Sequence, residues 1–190
     1  MSSKGSARLP GRLTDEDLAR ISFDVIQLTD RLSAVEDWAK LVAAHIYLDH
    51  ILTETLRDRI PDIDVYLKSG HKTFADKLAL CQAHRVVDEE LVATLKALNR
   101  ARNQFAHRLD FGVTDELKMQ LFTQFSPTRA KADVLGDEGF TNFLLTVIML
   151  LEFERIYEFK IRALQEEAQL YRDKAFEVAT RTYRTRRAEE

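Results

Sequence analysis

The residues of this chain best equipped for chemistry are Arg102, Asn103 and His107, grouped in the segment Arg102-Asn103-Gln104-Phe105-Ala106-His107. A histidine titrates near neutral pH and can remove or return a proton. A guanidinium is a permanent cation with five donors, suited to holding an anionic oxygen pair. An asparagine between them can orient the imidazole or contact the same anion. Together they suit a reaction at, or recognition of, a phosphate. Arg100 is the second choice for the role of Arg102.

These residues need a helix to position them, and the stretch from Asp88 to Thr114 supplies one. Asp88 is an N-cap residue followed by two acids in the first turn, where the helix dipole favours them. Apolar residues recur at Leu91, Leu95, Leu98, Phe105 and Leu109, with a gap at 102. Arg102 therefore falls in a stripe expected to be buried. At 100° per residue, Asn99, Arg100, Asn103 and His107 share a neighbouring polar flank. Arg102 and His107 lie about 140° apart on a straight helix, so they converge only if Arg102 reaches sideways or the last turn unwinds. A structural role is the competing expectation. Arg102 would then pair with Asp49 or Glu54 of an earlier helix, while His107 would cap terminal carbonyls.

The Arg-Asn-x-x-x-His string near the end of a helix resembles the R-x4-6-H motif of the HEPN superfamily. Phe74-Ala75-Asp76-Lys77-Leu78-Ala79-Leu80 and the upstream Tyr47-Leu48-Asp49-His50-Ile51-Leu52 make the chain most similar to its mannitol operon repressor-like branch, over roughly residues 35 to 155. Where that branch usually carries a Leu-Gly turn, this chain has His84-Arg85. The resemblance implies a helical bundle, a homodimer and a regulatory or stress-response role exerted through an RNA- or protein-binding surface. For the ribonuclease members it implies metal-independent RNA cleavage, with His107 acting on the ribose 2′-hydroxyl, Arg102 on the phosphate and a 2′,3′-cyclic phosphate as product. A toxin paired with an antitoxin belongs to the same set of expectations.

Composition agrees with a helical protein and narrows the rest. Six glycines and three prolines in 190 residues are few for a fold rich in turns. A net charge of −3 advertises no overall affinity for nucleic acid, so any such contact must be local. The single cysteine, Cys81, cannot form an intramolecular disulfide, which suggests a reducing, cytoplasmic setting. The polar opening MSSKGSARLPGR has no apolar run typical of a signal peptide, and the longest apolar run, residues 143–151, is half a membrane span. No Walker loop, dinucleotide fingerprint or zinc-type cysteine spacing is found, so no cofactor and no metal is expected. His45, Asp49 and His50 have ligand chemistry, but a core histidine beside a carboxylate is the simpler reading.

The expected fold is an all-α, up-and-down bundle of about six helices with a long C-terminal helix. Residues 1–12 read as a flexible arm, 13–160 as the helical domain, and 161–190 as an extension of the last helix. Helices are expected from Thr14, from a Ser33–Glu36 capping box to Ile60, from Phe74 to His84, from Asp88, from Thr114 to Phe125, and from about Phe140 to Tyr183. The second helix would bury Trp38, Leu41, His45, Leu48 and Leu52. Residues 61–72 read as a loop lying over the core. In the last helix, Tyr157, Ile161, Leu164, Ala168, Tyr171, Ala175 and Val178 form a heptad stripe, hence the expected homodimer. Its basic end, with Arg181, Arg184, Arg186 and Arg187, is a candidate nucleic-acid contact.

Overall fold

The computed structural model describes residues 13–33, 36–107, 112–125 and 138–188, and their side chains except those of 106–107 and 179–188. Among the described residues there are eight helices and no strand: α1 (Asp15–Leu18), α2 (Val25–Ser33), α3 (Asp37–Arg59), α4 (Ile63–Lys68), α5 (Phe74–Ala83), α6 (Glu89–His107), α7 (Asp115–Phe125) and α8 (Gly139–Ala188). The all-α bundle with a long C-terminal helix is what the sequence led us to expect. None of the described helices is long and apolar enough to cross a membrane.

Local sequence explains most of the boundaries. Thr14 and Asp17 form a reciprocal capping box at α1, and Thr73 and Asp76 form another at α5. Asp88 Oδ1 accepts from the Glu90 N–H at 2.8 Å to open α6, and Thr114 Oγ1 accepts from Leu117 N–H at 3.3 Å to open α7. α3 ends at Ile60, extended at φ −118° and ψ 114° ahead of Pro61. The α5–α6 turn, which lacks the usual glycine, is closed by Arg85 in the left-handed region at φ 54°, and the Val86 N–H bonds to the Cys81 carbonyl at 3.1 Å.

Three expectations are corrected. The stretch after Thr14 is two helices broken at 19–24, where Asp24 Oδ1 caps α2 by accepting from Ile26 and Gln27. The 61–72 loop contains α4, which buries Ile63 while leaving Val65 73% exposed. The Ser33–Glu36 capping box does not form: Ser33 ends α2, and Glu36 precedes α3 without a side-chain cap bond.

α3 is the hub, packed against α2, α5, α6 and α8. Its inner face, including Leu41, Leu48, Ile51, Leu52 and Leu56, meets Leu144, Val147, Ile148 and Leu151 of α8 and Leu91, Leu95 and Leu98 of α6. Burial of this contiguous apolar surface is the main favourable term in folding.

One charged cluster lies inside that packing. Glu152, fully buried, accepts from Arg155 Nε at 3.0 Å and Nη2 at 2.7 Å, and from the Ser22 N–H at 2.6 Å. Arg155 also donates to Asp58 Oδ2 of α3 and to the Arg20 carbonyl, both at 2.5 Å. Burial alone would lower the Arg155 pKa, but bonds and charges from Glu152 and Asp58 outweigh it and the pKa is raised. The break between α1 and α2 thus supplies backbone partners that a continuous helix would have kept for itself.

Candidate functional site at the α3–α6 face

The buried stripe of α6 runs through Leu91, Leu95, Leu98 and then Ala101, a step of three where the sequence suggested four. That step moves Arg102 out of the core. It is half-buried at the rim, and its Nη1 donates to Asn103 Oδ1 at 3.2 Å. The carboxylates expected as its partners are engaged elsewhere. Asp49 accepts from Lys77 of α5 at 2.6 Å, and Glu54 accepts from Arg57 at 2.6 Å. The Arg102 guanidinium therefore pairs with no carboxylate among the described residues.

Of the predicted polar flank, Asn103 and Arg100 are exposed and Asn99 is half-buried. His107 is the last residue of α6 and its side chain lies outside the described residues, so its approach to Arg102 is not part of the geometry. The side chains of Arg181, Arg184, Arg186 and Arg187 lie outside them as well.

The tertiary structure brings further groups to this face. His45 of α3 donates from Nε2 to Asn99 Oδ1 at 3.0 Å, and its ring lies on Phe74 with centroids 4.5 Å apart. Burial is the largest cause of its lowered pKa; the Asn99 bond opposes it and the Arg102 charge adds to it. A neutral imidazole with one nitrogen committed to Asn99 results, which suits a structural clamp better than a proton shuttle. Trp38, expected inside, is 44% exposed, and its ring stacks on Phe105 with centroids 5.0 Å apart and planes 12° from parallel. This pair sits where the first turns of α3 meet the last turn of α6. Sequence periodicity placed Trp38 and Phe105 on inward faces and so missed a half-open aromatic surface beside the Arg102–Asn103 pair. The signal available was position alone, one aromatic at a helix start and one at a helix end.

The metal-type triplet suggested by sequence disperses: His45 bonds Asn99, Asp49 bonds Lys77, and His50 Nε2 donates to the Ser22 carbonyl at 3.1 Å. No group of three or more His, Cys, Asp or Glu side chains among the described residues is arranged to hold a metal ion. Cys81 is buried, and burial pushes its thiol pKa up to about 12, which makes it a poor nucleophile.

No family model, curated protein or solved structure matches this chain.

Proposed function

We propose that this chain is a cytoplasmic, HEPN-like regulatory protein of the mannitol operon repressor-like kind, and that the α3–α6 face binds single-stranded RNA. The supporting observation is Arg102, whose guanidinium is bonded to Asn103 and to no described carboxylate, and so retains donors for a phosphate. The half-exposed Trp38, stacked on Phe105, offers a base a π-face close by, and stacking of this kind is tolerant of sequence. Arg100 and Asn103 extend the polar surface along the same helix.

The test is titration of a fluorescent single-stranded RNA of mixed sequence with the full chain at several salt concentrations. Arg102→Ala and Trp38→Ala are each expected to weaken binding about tenfold, and Arg102→Ala to reduce the salt slope by about one phosphate contact. Unchanged binding in both variants would refute the reading, as would the absence of RNA binding by the parent protein.

A second reading draws on the same arginine: metal-independent RNA cleavage with Arg102, or alternatively Arg100, holding the scissile phosphate, Asn103 assisting and His107 moving the proton. Cleavage of the RNA in the presence of a chelator, abolished by His107→Ala in a folded protein, would establish it. Intact RNA under those conditions would leave binding alone.

A further inference from the structure

His45 is tied to the same turns of α6 that carry the Arg102–Asn103 pair. Its Nε2 donates to Asn99 Oδ1 at 3.0 Å, and Asn99 stands three residues before Arg102 and four before Asn103, the spacings that make side chains neighbours on a helix surface. The Phe74 ring of α5 lies against the imidazole with centroids 4.5 Å apart.

Among the described residues three charged groups act on this ring, one from each helix around it: Arg102 on α6, Asp49 on α3 and Lys77 on α5. Asp49 accepts from Lys77 at 2.6 Å, so the opposite effects of these two on the imidazole largely cancel. Arg102 bonds Asn103 and has no described carboxylate to cancel it. The charge left acting on His45 is positive, and it belongs to the group that would receive an RNA phosphate. Burial first, and then this cation, lower the His45 pKa from 6.5 against the opposing Asn99 bond, and the ring is neutral in the free protein.

We propose that seating an RNA phosphate on Arg102 is coupled to uptake of a proton by His45, so that the α3–α6 face holds RNA more tightly in mildly acidic solution than at pH 7.5.

This coupling rests on the RNA-binding reading of the face and adds its regulation. The phosphate supplies the counter-charge that Arg102 lacks, and the repulsion that kept a proton off His45 falls. The ring takes the charge without rearranging. In the imidazolium both nitrogens carry hydrogen, so the Nε2 bond to Asn99 Oδ1 is kept and becomes charge-assisted. Phe74, at its present distance, offers a cation the face of a π-system. The proton comes from the buffer, and His45 passes none to the RNA. Linkage is reciprocal: the factor by which phosphate binding raises the proton affinity of His45 is the factor by which protonation raises the affinity for RNA. Because the His45 pKa is higher in the complex than in the free protein, affinity rises as pH falls through the value for the complex. It levels off below the value for the free protein.

Titration of the full chain with a fluorescent oligouridylate, whose bases do not titrate in this range, measures the effect at constant ionic strength. Affinity at pH 5.5 is expected to exceed that at pH 7.5 by roughly three- to tenfold. Calorimetry at pH 6 in two buffers of different protonation enthalpy should show net proton uptake on binding. His45→Gln keeps a donor for Asn99 Oδ1 but takes no charge, and its affinities at the two pH values should agree within about twofold. An NMR titration of the His45 imidazole without RNA needs no binding at all: in Arg102→Ala, a change at the half-buried rim, the midpoint should move up. Equal affinity at both pH values, absence of proton uptake, a pH dependence that persists in His45→Gln, or a midpoint indifferent to Arg102→Ala would overturn the coupling and leave RNA binding standing. A parent chain that binds no RNA at either pH would overturn the RNA reading, and the coupling with it.

Discussion

Replacing Arg155 by methionine isolates the buried charge cluster that ties three parts of the chain together. The guanidinium side chain is 5% exposed, and its partner Glu152 is 0% exposed. Methionine fills much of the same aliphatic volume, so the cavity term is small and the change is mainly electrostatic. Glu152 would keep only the Ser22 N–H, while Asp58, 25% exposed, would turn to water. Removing one partner from a buried pair costs about 3–5 kcal/mol, because the remaining charge stays desolvated. A domain of this size is stable by about 5–15 kcal/mol, so the loss is a large share of the total. Urea unfolding followed by helical circular dichroism and Trp38 fluorescence measures it. In Glu152→Gln/Arg155→Met, a neutral amide oxygen can still accept from Ser22, and at least about 2 kcal/mol should return relative to Arg155→Met alone. A cost below about 1 kcal/mol for Arg155→Met, or a double variant no better than the single, would refute the assignment.

Further outcomes follow from Glu154 and the caps. Glu154 is pushed up from 4.5 to about 7, first by burial and then by Asp88 and Glu158, against an opposing bond from the Asp88 N–H at 3.1 Å; Glu89, Tyr157 and Arg85 complete its surroundings. The folded state therefore holds this proton more tightly than the unfolded one, and stability is lost as pH rises from 4.5 through 7. Glu154→Gln retains an acceptor for Asp88 and, with solvent screening of this partly exposed group discounted, should stabilise the chain by about 1–2 kcal/mol at pH 8 but not at pH 4.5, as read from urea midpoints; an equal gain at both would sink the account. Thr73→Ala removes the acceptor for the Asp76 N–H at 3.2 Å and half of the α5 capping box, and should lower stability by about 1 kcal/mol in the same assay.

The chain's own residues determined the helices, because their signals are local. Thr73 with Asp76, Asp88, Thr114 and Pro61 mark the boundaries, and uninterrupted apolar spacing marks the long α8. The segment holding Arg102, Asn103 and His107 was legible for the same reason, since residue type and helical spacing are written in sequence. Its surroundings were not. Whether the α6 stripe passes through Ala101 or Arg102 depends on how α6 rolls against α3, a difference of 100° that periodicity alone does not resolve. Likewise Asp49 and Glu54 were plausible partners for Arg102 until packing assigned them Lys77 and Arg57. The break at 19–24 has the same origin: a helix-like sequence gave up its backbone bonds because Glu152, Arg155 and His50, distant in the chain, offered better partners. Spacing along one helix decides which residues share a face; only contact between helices decides which face is buried and which charges remain available.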